Sequence, residues 1–144
     1  MDLGLKGKNA AISGSSQGIG YAIAKSLAEE GCNVALSARN QERLDQAVSD
    51  FEAKGVKAVG VLCDLSSEEG CAKFIEESTS ALGGLDILVN NVGGMIPGSI
   101  DSVTPEIWDT ILNTNLMSFV HTTKHAVPHI KKSSAGRILN VSGV

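Results

Sequence analysis

Five short apolar runs, at Ala10–Ser13, Val34–Ser37, Ala58–Cys63, Ile87–Val89 and Ile138–Val141, alternate with segments of helical periodicity. No other feature of the 144-residue sequence limits the fold as strongly. Nearly continuous apolar strands separated by helices read as βαβ units around a parallel sheet covered on both faces. The predicted fold class is α/β, a parallel sheet of five strands with helices on both faces. No linker, repeat or low-complexity stretch interrupts the alternation, so residues 1–144 read as a single domain. The last predicted strand ends next to Val144, which would leave an apolar sheet edge open. The expectation is a domain truncated after its fifth strand, with later strands missing, or one that hides this edge by association.

Helix ends are marked in the sequence. The first helix opens at Gly18, with Ile19, Ala22, Ile23 and Leu27 predicted on one side, and stops at Gly31. The second starts at Asn40, carries Leu44, Ala47, Val48 and Phe51, and ends by Gly55. Ser66 and Glu69 read as a capping box for the third, with Phe74, Ile75 and Leu82 as its apolar stripe. Thr104 followed by Pro105 opens the fourth.

Composition narrows the function classes. Twelve Lys+Arg against sixteen Asp+Glu give a net charge of −4, and no basic stripe is present, which argues against nucleic acid or an anionic membrane as partner. No apolar run approaches the roughly 18 residues that span a bilayer. Met1–Gly14 has neither a basic segment nor a long apolar one, so no secretory signal is expected. Three cysteines, Cys32, Cys63 and Cys71, form no Cys-x-x-Cys pair. A reduced, cytoplasmic setting is expected, with the thiols as small buried side chains.

Between the first strand and first helix lies Gly14-Ser15-Ser16-Gln17-Gly18-Ile19-Gly20, a G-x-x-x-G-x-G spacing. Gly14 permits a tight turn, Gly18 lets a diphosphate approach the backbone, and Gly20 lets helix and strand pack closely. The following helix offers free N–H groups and partial positive charge to an anion. The spacing therefore predicts a dinucleotide-binding loop. The end of the second strand selects the nucleotide. A carboxylate there would bind a ribose 2′-hydroxyl and favour NAD, but the chain reads Ser37-Ala38-Arg39-Asn40. Arg39 can fork onto a 2′-phosphate, with Ser37 and Ser15 as neutral helpers and Asn40 beside it as a further cofactor-binding residue, so NADP(H) is the expected cofactor.

Together with this loop, Asn90-Asn91-Val92-Gly93 after the fourth strand resembles the short-chain dehydrogenase/reductase family, nearest its 3-oxoacyl-acyl-carrier-protein reductase type. Gly7-Lys8-Asn9-Ala10, Asp64, Asn113-Thr114-Asn115-Leu116 and Gly136-Arg137-Ile138-Leu139-Asn140-Val141-Ser142 also match. Val92 stands where the family usually has alanine. The resemblance covers the whole chain and somewhat more than half of a usual family member. It implies a Rossmann-like, doubly wound parallel sheet of five strands in the order 3-2-1-4-5, and hydride transfer between a nicotinamide and a carbonyl or alcohol carbon of a small molecule. It also implies that Asp64 and Leu65 meet the adenine and that Asn90 and Gly93 contact the cofactor.

Ile107, Ile111 and Asn115 are four apart, on one predicted helical face. In the family, the residue matching Asn115 holds a water in a proton relay, while a core asparagine bracing the fourth strand is the other reading. The family's tyrosine and lysine acid/base pair has no counterpart here, because the only tyrosine is Tyr21, beside the phosphate loop. Ser142 is the candidate catalytic serine, one place before the matching position, which Gly143 occupies. The expected activity is an NADP(H)-dependent oxidoreductase fragment lacking Tyr-x-x-x-Lys. The alternative is a non-catalytic nucleotide-binding or oligomerising protein on the same half-fold. His121, His125 and His129 recur every four residues and read as a solvated or interface stripe, with no metal expected. In the family this fourth helix faces a subunit partner, which implies a homo-oligomer. The mostly apolar loop Gly94–Gly98 is expected to line one side of the substrate pocket.

Overall fold

The computed structural model describes residues 1–143. One five-stranded parallel sheet runs in the order β3-β2-β1-β4-β5. Its strands are β1 (Asn9–Ile12), β2 (Asn33–Ala38), β3 (Ala58–Leu62), β4 (Ile87–Asn90) and β5 (Arg137–Asn140). The helices are α1 (Gly18–Glu29), α2 (Gln41–Glu52), α3 (Glu68–Leu82), α4 (Pro105–Leu112) and α5 (Ser118–Ile130). Chain order reverses between β1 and β4, where this class of sheet opens a crevice beyond its strand ends.

Alternation along the strands divides the core in two. Ala10, Ile12, Val34, Leu36, Ile87 and Val89 pack with Ala24 and Ala28 of α1 and Leu44, Ala47 and Phe51 of α2. Ala11, Ala35, Val61 and Leu88 face the other way, onto Phe74, Ile75 and Leu82 of α3 and Ala126 and Ile130 of α5. The expected cover on both faces holds for β1, β2 and β4, whereas β5 at the sheet edge is exposed along its length, with Ile138 37% and Leu139 50% exposed, a correction to the sequence reading.

Three local expectations are corrected. The buried face of α1 is Gly20, Ala24 and Ala28, whereas Ile19 is 65% exposed and Ala22 is exposed. Small residues let α1 lie close to the sheet, which outweighs the hydrophobicity of Ile19. At α3, the cap is Ser67, whose Oγ accepts from Gly70 N at 3.1 Å. Ser66 is spent on a turn instead: its N and Oγ both donate to Asp64 Oδ1, at 3.0 and 2.8 Å. The single fourth helix is interrupted by a π-helical turn over Asn113–Met117. Such insertions re-aim side chains and recur at functional sites.

The remaining caps follow the sequence. Asn40 Oδ1 accepts from Arg43 N at 2.9 Å, and Thr104 Oγ1 accepts from Ile107 N at 3.4 Å with Pro105 in the first turn. Among the described residues no helix is long and apolar enough to cross a membrane.

Candidate nucleotide-binding site

The crevice at the strand ends has a volume of about 620 Å³, within the usual range for small-molecule sites. Its floor is the loop after β1. Gly14 and Gly18 adopt φ of +60° and +61°, conformations that L side chains rarely take. A Cβ on Gly18 would meet nothing within 4 Å, so that side of the loop is open. Gly20 is packed: a Cβ there would collide with Gly14 O and lie 2.6 Å from Asn91 Nδ2. The glycines thus divide the work, one leaving room above the loop and the other closing the helix onto it.

Serines hold this loop. Ser15 N donates to Ser37 O at 3.0 Å, and Ser37 N donates to Ser15 Oγ at 3.2 Å. Gly14 N donates to Ser37 Oγ at 3.0 Å. Ser15 is fully buried and Ser37 almost so. The reading of Ser15 as a helper at a 2′-phosphate is therefore corrected, since its buried hydroxyl donates to Ile12 O at 2.6 Å and accepts from Ser37 N, whereas Ser37 lines the crevice. Ser13, which sequence reasoning missed, joins the two halves of the sheet. Its buried Oγ accepts from Asn91 N at 2.8 Å and Val92 N at 3.0 Å. Asn91 Nδ2 completes the junction by donating to Ser13 O and Gly14 O.

Arg39, Asn40, Asp64 and Leu65 line one wall of the crevice, and Gly93, Gly94, Met95 and Ile96 line the other. The hydrogen bonds of Ser66, helped by the nearby Arg39 charge, hold the Asp64 carboxyl below its ordinary range. Gly14, Ser16, Gln17, Gly18 and Ser37 also reach the crevice. Ser15, Ile19, Gly20 and Asn90 are not among its lining residues.

Asn90 is corrected from cofactor contact to core brace. Its Nδ2 donates to Thr123 Oγ1 at 3.1 Å and Asn140 Oδ1 at 2.9 Å, and its Oδ1 accepts from Thr122 Oγ1 at 2.6 Å. A fully buried amide requires such partners, and these tie β4 to α5 and β5.

Asn115 sits in the π turn and is half-buried. Its Oδ1 accepts from Gly94 N and its Nδ2 donates to Gly94 O, both at 2.8 Å. Gly93 must lack a side chain for this clamp, because a Cβ there would lie 2.9 Å from Asn115 Oδ1. Ser142 is exposed beyond β5 and does not line the crevice.

Two other sequence signals are placed outside the crevice chemistry. Tyr21 OH donates to Asp50 Oδ2 at 2.8 Å, which pushes the phenol pKa up, the wrong direction for an acid/base. His121 Nδ1 and His125 Nε2 lie 3.8 and 3.7 Å from Glu68 Oε1, which Lys124 Nζ approaches to 2.8 Å. These two histidines are half-buried beside Glu68 of α3, so of the solvated or interface readings they are not fully solvated. The sequence hid this arrangement because Glu68 is far away in chain order. All three cysteines are free thiols, and burial pushes Cys63 up to about 12 and Cys71 up to about 11.

A glycine-floored crevice at the switch point of a five-stranded parallel sheet in the order 3-2-1-4-5, with helices on both sides, defines a Rossmann-like α/β fold. The chain belongs to the short chain dehydrogenase family, whose profile matches residues 8–144. The uncharacterized oxidoreductase YvrD of Bacillus subtilis (strain 168) is 39% identical over 142 residues, which is 99% of this chain and 53% of that protein. L-Sorbose reductase from Gluconobacter frateurii, solved with NADPH and L-sorbose, superposes with a TM-score of 0.93 at 37% identity. That match covers 97% of this chain and 54% of the other. A 7α-hydroxysteroid dehydrogenase complexed with NADH and 7-oxo glycochenodeoxycholic acid gives 0.91 at 32% identity, covering 96% and 54%. The chain spans about half the length of the relatives it matches.

Proposed function

We propose that this chain is the cofactor-binding part of an NADP(H)-dependent oxidoreductase acting on a small carbonyl or alcohol substrate. One observation carries the cofactor choice: Arg39 lines the crevice just past β2, where an NAD-selecting carboxylate would otherwise stand. The residues present fit the group. The open side of Gly18 and the uncapped N-terminus of α1, where Gln17 makes no side-chain cap, leave backbone N–H groups for a diphosphate. Asp64 and Leu65 line the far wall for an adenine, and Gly93 lies toward the nicotinamide end. The nicotinamide, when bound, supplies or accepts the hydride.

Asn115 acts here as a positioning residue. Its clamp on Gly94 fixes the start of the loop through Met95 and Ile96, which offers an apolar wall to a substrate. Ser142 is kept as the serine for the substrate oxygen on the family pattern alone, because its exposed position past β5 lies outside the crevice lining. The family's Tyr-x-x-x-Lys pair has no match in the 144 residues, so the chain alone is expected to turn over little.

Titration monitored by nucleotide fluorescence tests this reading. NADPH is expected to bind at least tenfold more tightly than NADH, since a charge-assisted contact contributes about 1.5–3 kcal/mol. NADPH mixed with a β-ketoester should show no loss of nicotinamide absorbance. Equal affinities would overturn the cofactor assignment, and robust turnover would overturn the account of the absent acid/base pair.

Assembly as a homo-oligomer belongs to the same proposal. Trp108, Leu112, Leu116 and Val120 recur every four residues along α4, the π turn and α5, and all are exposed. An apolar stripe of this kind marks an interaction face. Light scattering is expected to show a dimer or larger, and Leu116→Glu should return it to monomer. A monomeric parent chain would refute this assembly.

A further inference from the structure

Arg39 is the guanidinium that chain order brings to the cofactor, but a second one shares its wall. Arg43, in the first turn of α2, lines the same crevice. The two side chains have different surroundings. The charge of Arg39 helps depress the Asp64 carboxyl, so it is partly answered within the protein. Arg43 Nη1 donates instead to Gln17 Oε1 at 3.0 Å, a neutral acceptor in the loop that precedes α1. No ion pair among the described residues includes Arg43.

Nor does its own helix offer one. The residues three and four positions away are Arg39, Asn40, Gln46 and Ala47, none of them acidic. The main chain at Arg43 is fixed, because its N donates to Asn40 Oδ1 at 2.9 Å. Asn40, read from the sequence as a cofactor ligand, thus caps the helix that carries Arg43. A cation aimed along a crevice by an uncharged amide, near a second guanidinium, is best answered by an anion in that crevice.

We infer that Arg43 is a second specificity-determining residue, sharing with Arg39 the phosphoryl group on the ribose 2′-oxygen of NADP(H), and that Gln17 is its positioning residue. This rests on the NADP(H) reading above. A phosphate monoester carries close to two negative charges and three acceptor oxygens, enough for two guanidinium forks.

The test measures dissociation constants of NADPH and NADH for the parent chain and for Arg39→Gln, Arg43→Gln, Arg43→Lys and Gln17→Ala. Arg43→Gln is expected to weaken NADPH roughly ten- to thirtyfold while NADH stays within about twofold. Arg43→Lys, which keeps the charge but not the fork, should fall between. Gln17→Ala should weaken NADPH a few-fold more than it weakens NADH. If Arg43→Gln leaves the NADPH-to-NADH ratio unchanged while Arg39→Gln abolishes it, the inference about Arg43 fails and the NADP(H) reading stands. If the parent chain shows no preference for NADPH, both fall.

Discussion

Gly20→Ala is expected to abolish nucleotide binding and to lower the melting temperature by about 6–12 °C. The added methyl would collide with Gly14 O, would stand 2.6 Å from Asn91 Nδ2 and would stand 2.9 Å from Ser15 Cα. Two of these three neighbours are backbone, so a rotamer change cannot relieve the overlap. The Asn91 amide is itself held by bonds to Ser13 O and Gly14 O, and those must break if it moves. Overpacking of this kind costs roughly 1–3 kcal/mol, and the lost hydrogen bonds bring the sum to about 3 kcal/mol. For a domain near 150 residues, each kcal/mol shifts the midpoint by about 2–4 °C. Thermal unfolding followed by circular dichroism, paired with NADPH titration, checks both effects. A variant that melts with the parent would show that loop and helix can separate freely.

Asn90→Ala should be nearly as damaging, by a different route. The substitution removes an amide with three hydrogen bonds at a fully buried position. Thr123 and Asn140 then lose their partner, and a small cavity opens between β4, α5 and β5. Leaving buried polar groups unpaired costs about 1–3 kcal/mol, and the cavity adds to it. The expected loss is about 3 kcal/mol, visible as a lower urea midpoint with little change in slope. A midpoint within error of the parent would return Asn90 to the role of cofactor contact.

These two sites show how unevenly the sequence reveals the molecule. The floor of the crevice was legible because glycine spacing between a strand and a helix is a local requirement. Arg39 and the absence of a carboxylate beside it were legible for the same reason: both follow from position after β2. Asn90 was not, because its partners lie 32, 33 and 50 residues away. Ser13 was missed because a serine at a strand end carries no signal until β4 is laid beside β1. Arg43 was hidden because a surface arginine on an amphipathic helix looks like any other until Gln17 is seen to reach it.

The sequence by itself determined the alternation of strands and helices, the helix caps at Asn40 and Thr104, and the placement of an anion-binding loop after β1. Each depends on interactions within a few residues or on the two-residue and four-residue periods of buried side chains. Only the tertiary structure decided which face of α1 is buried, where the fourth helix widens around Asn115, and which polar side chains face the crevice rather than the core. Those outcomes depend on how closely separate elements approach, and packing between distant segments is the one thing local periodicity does not encode.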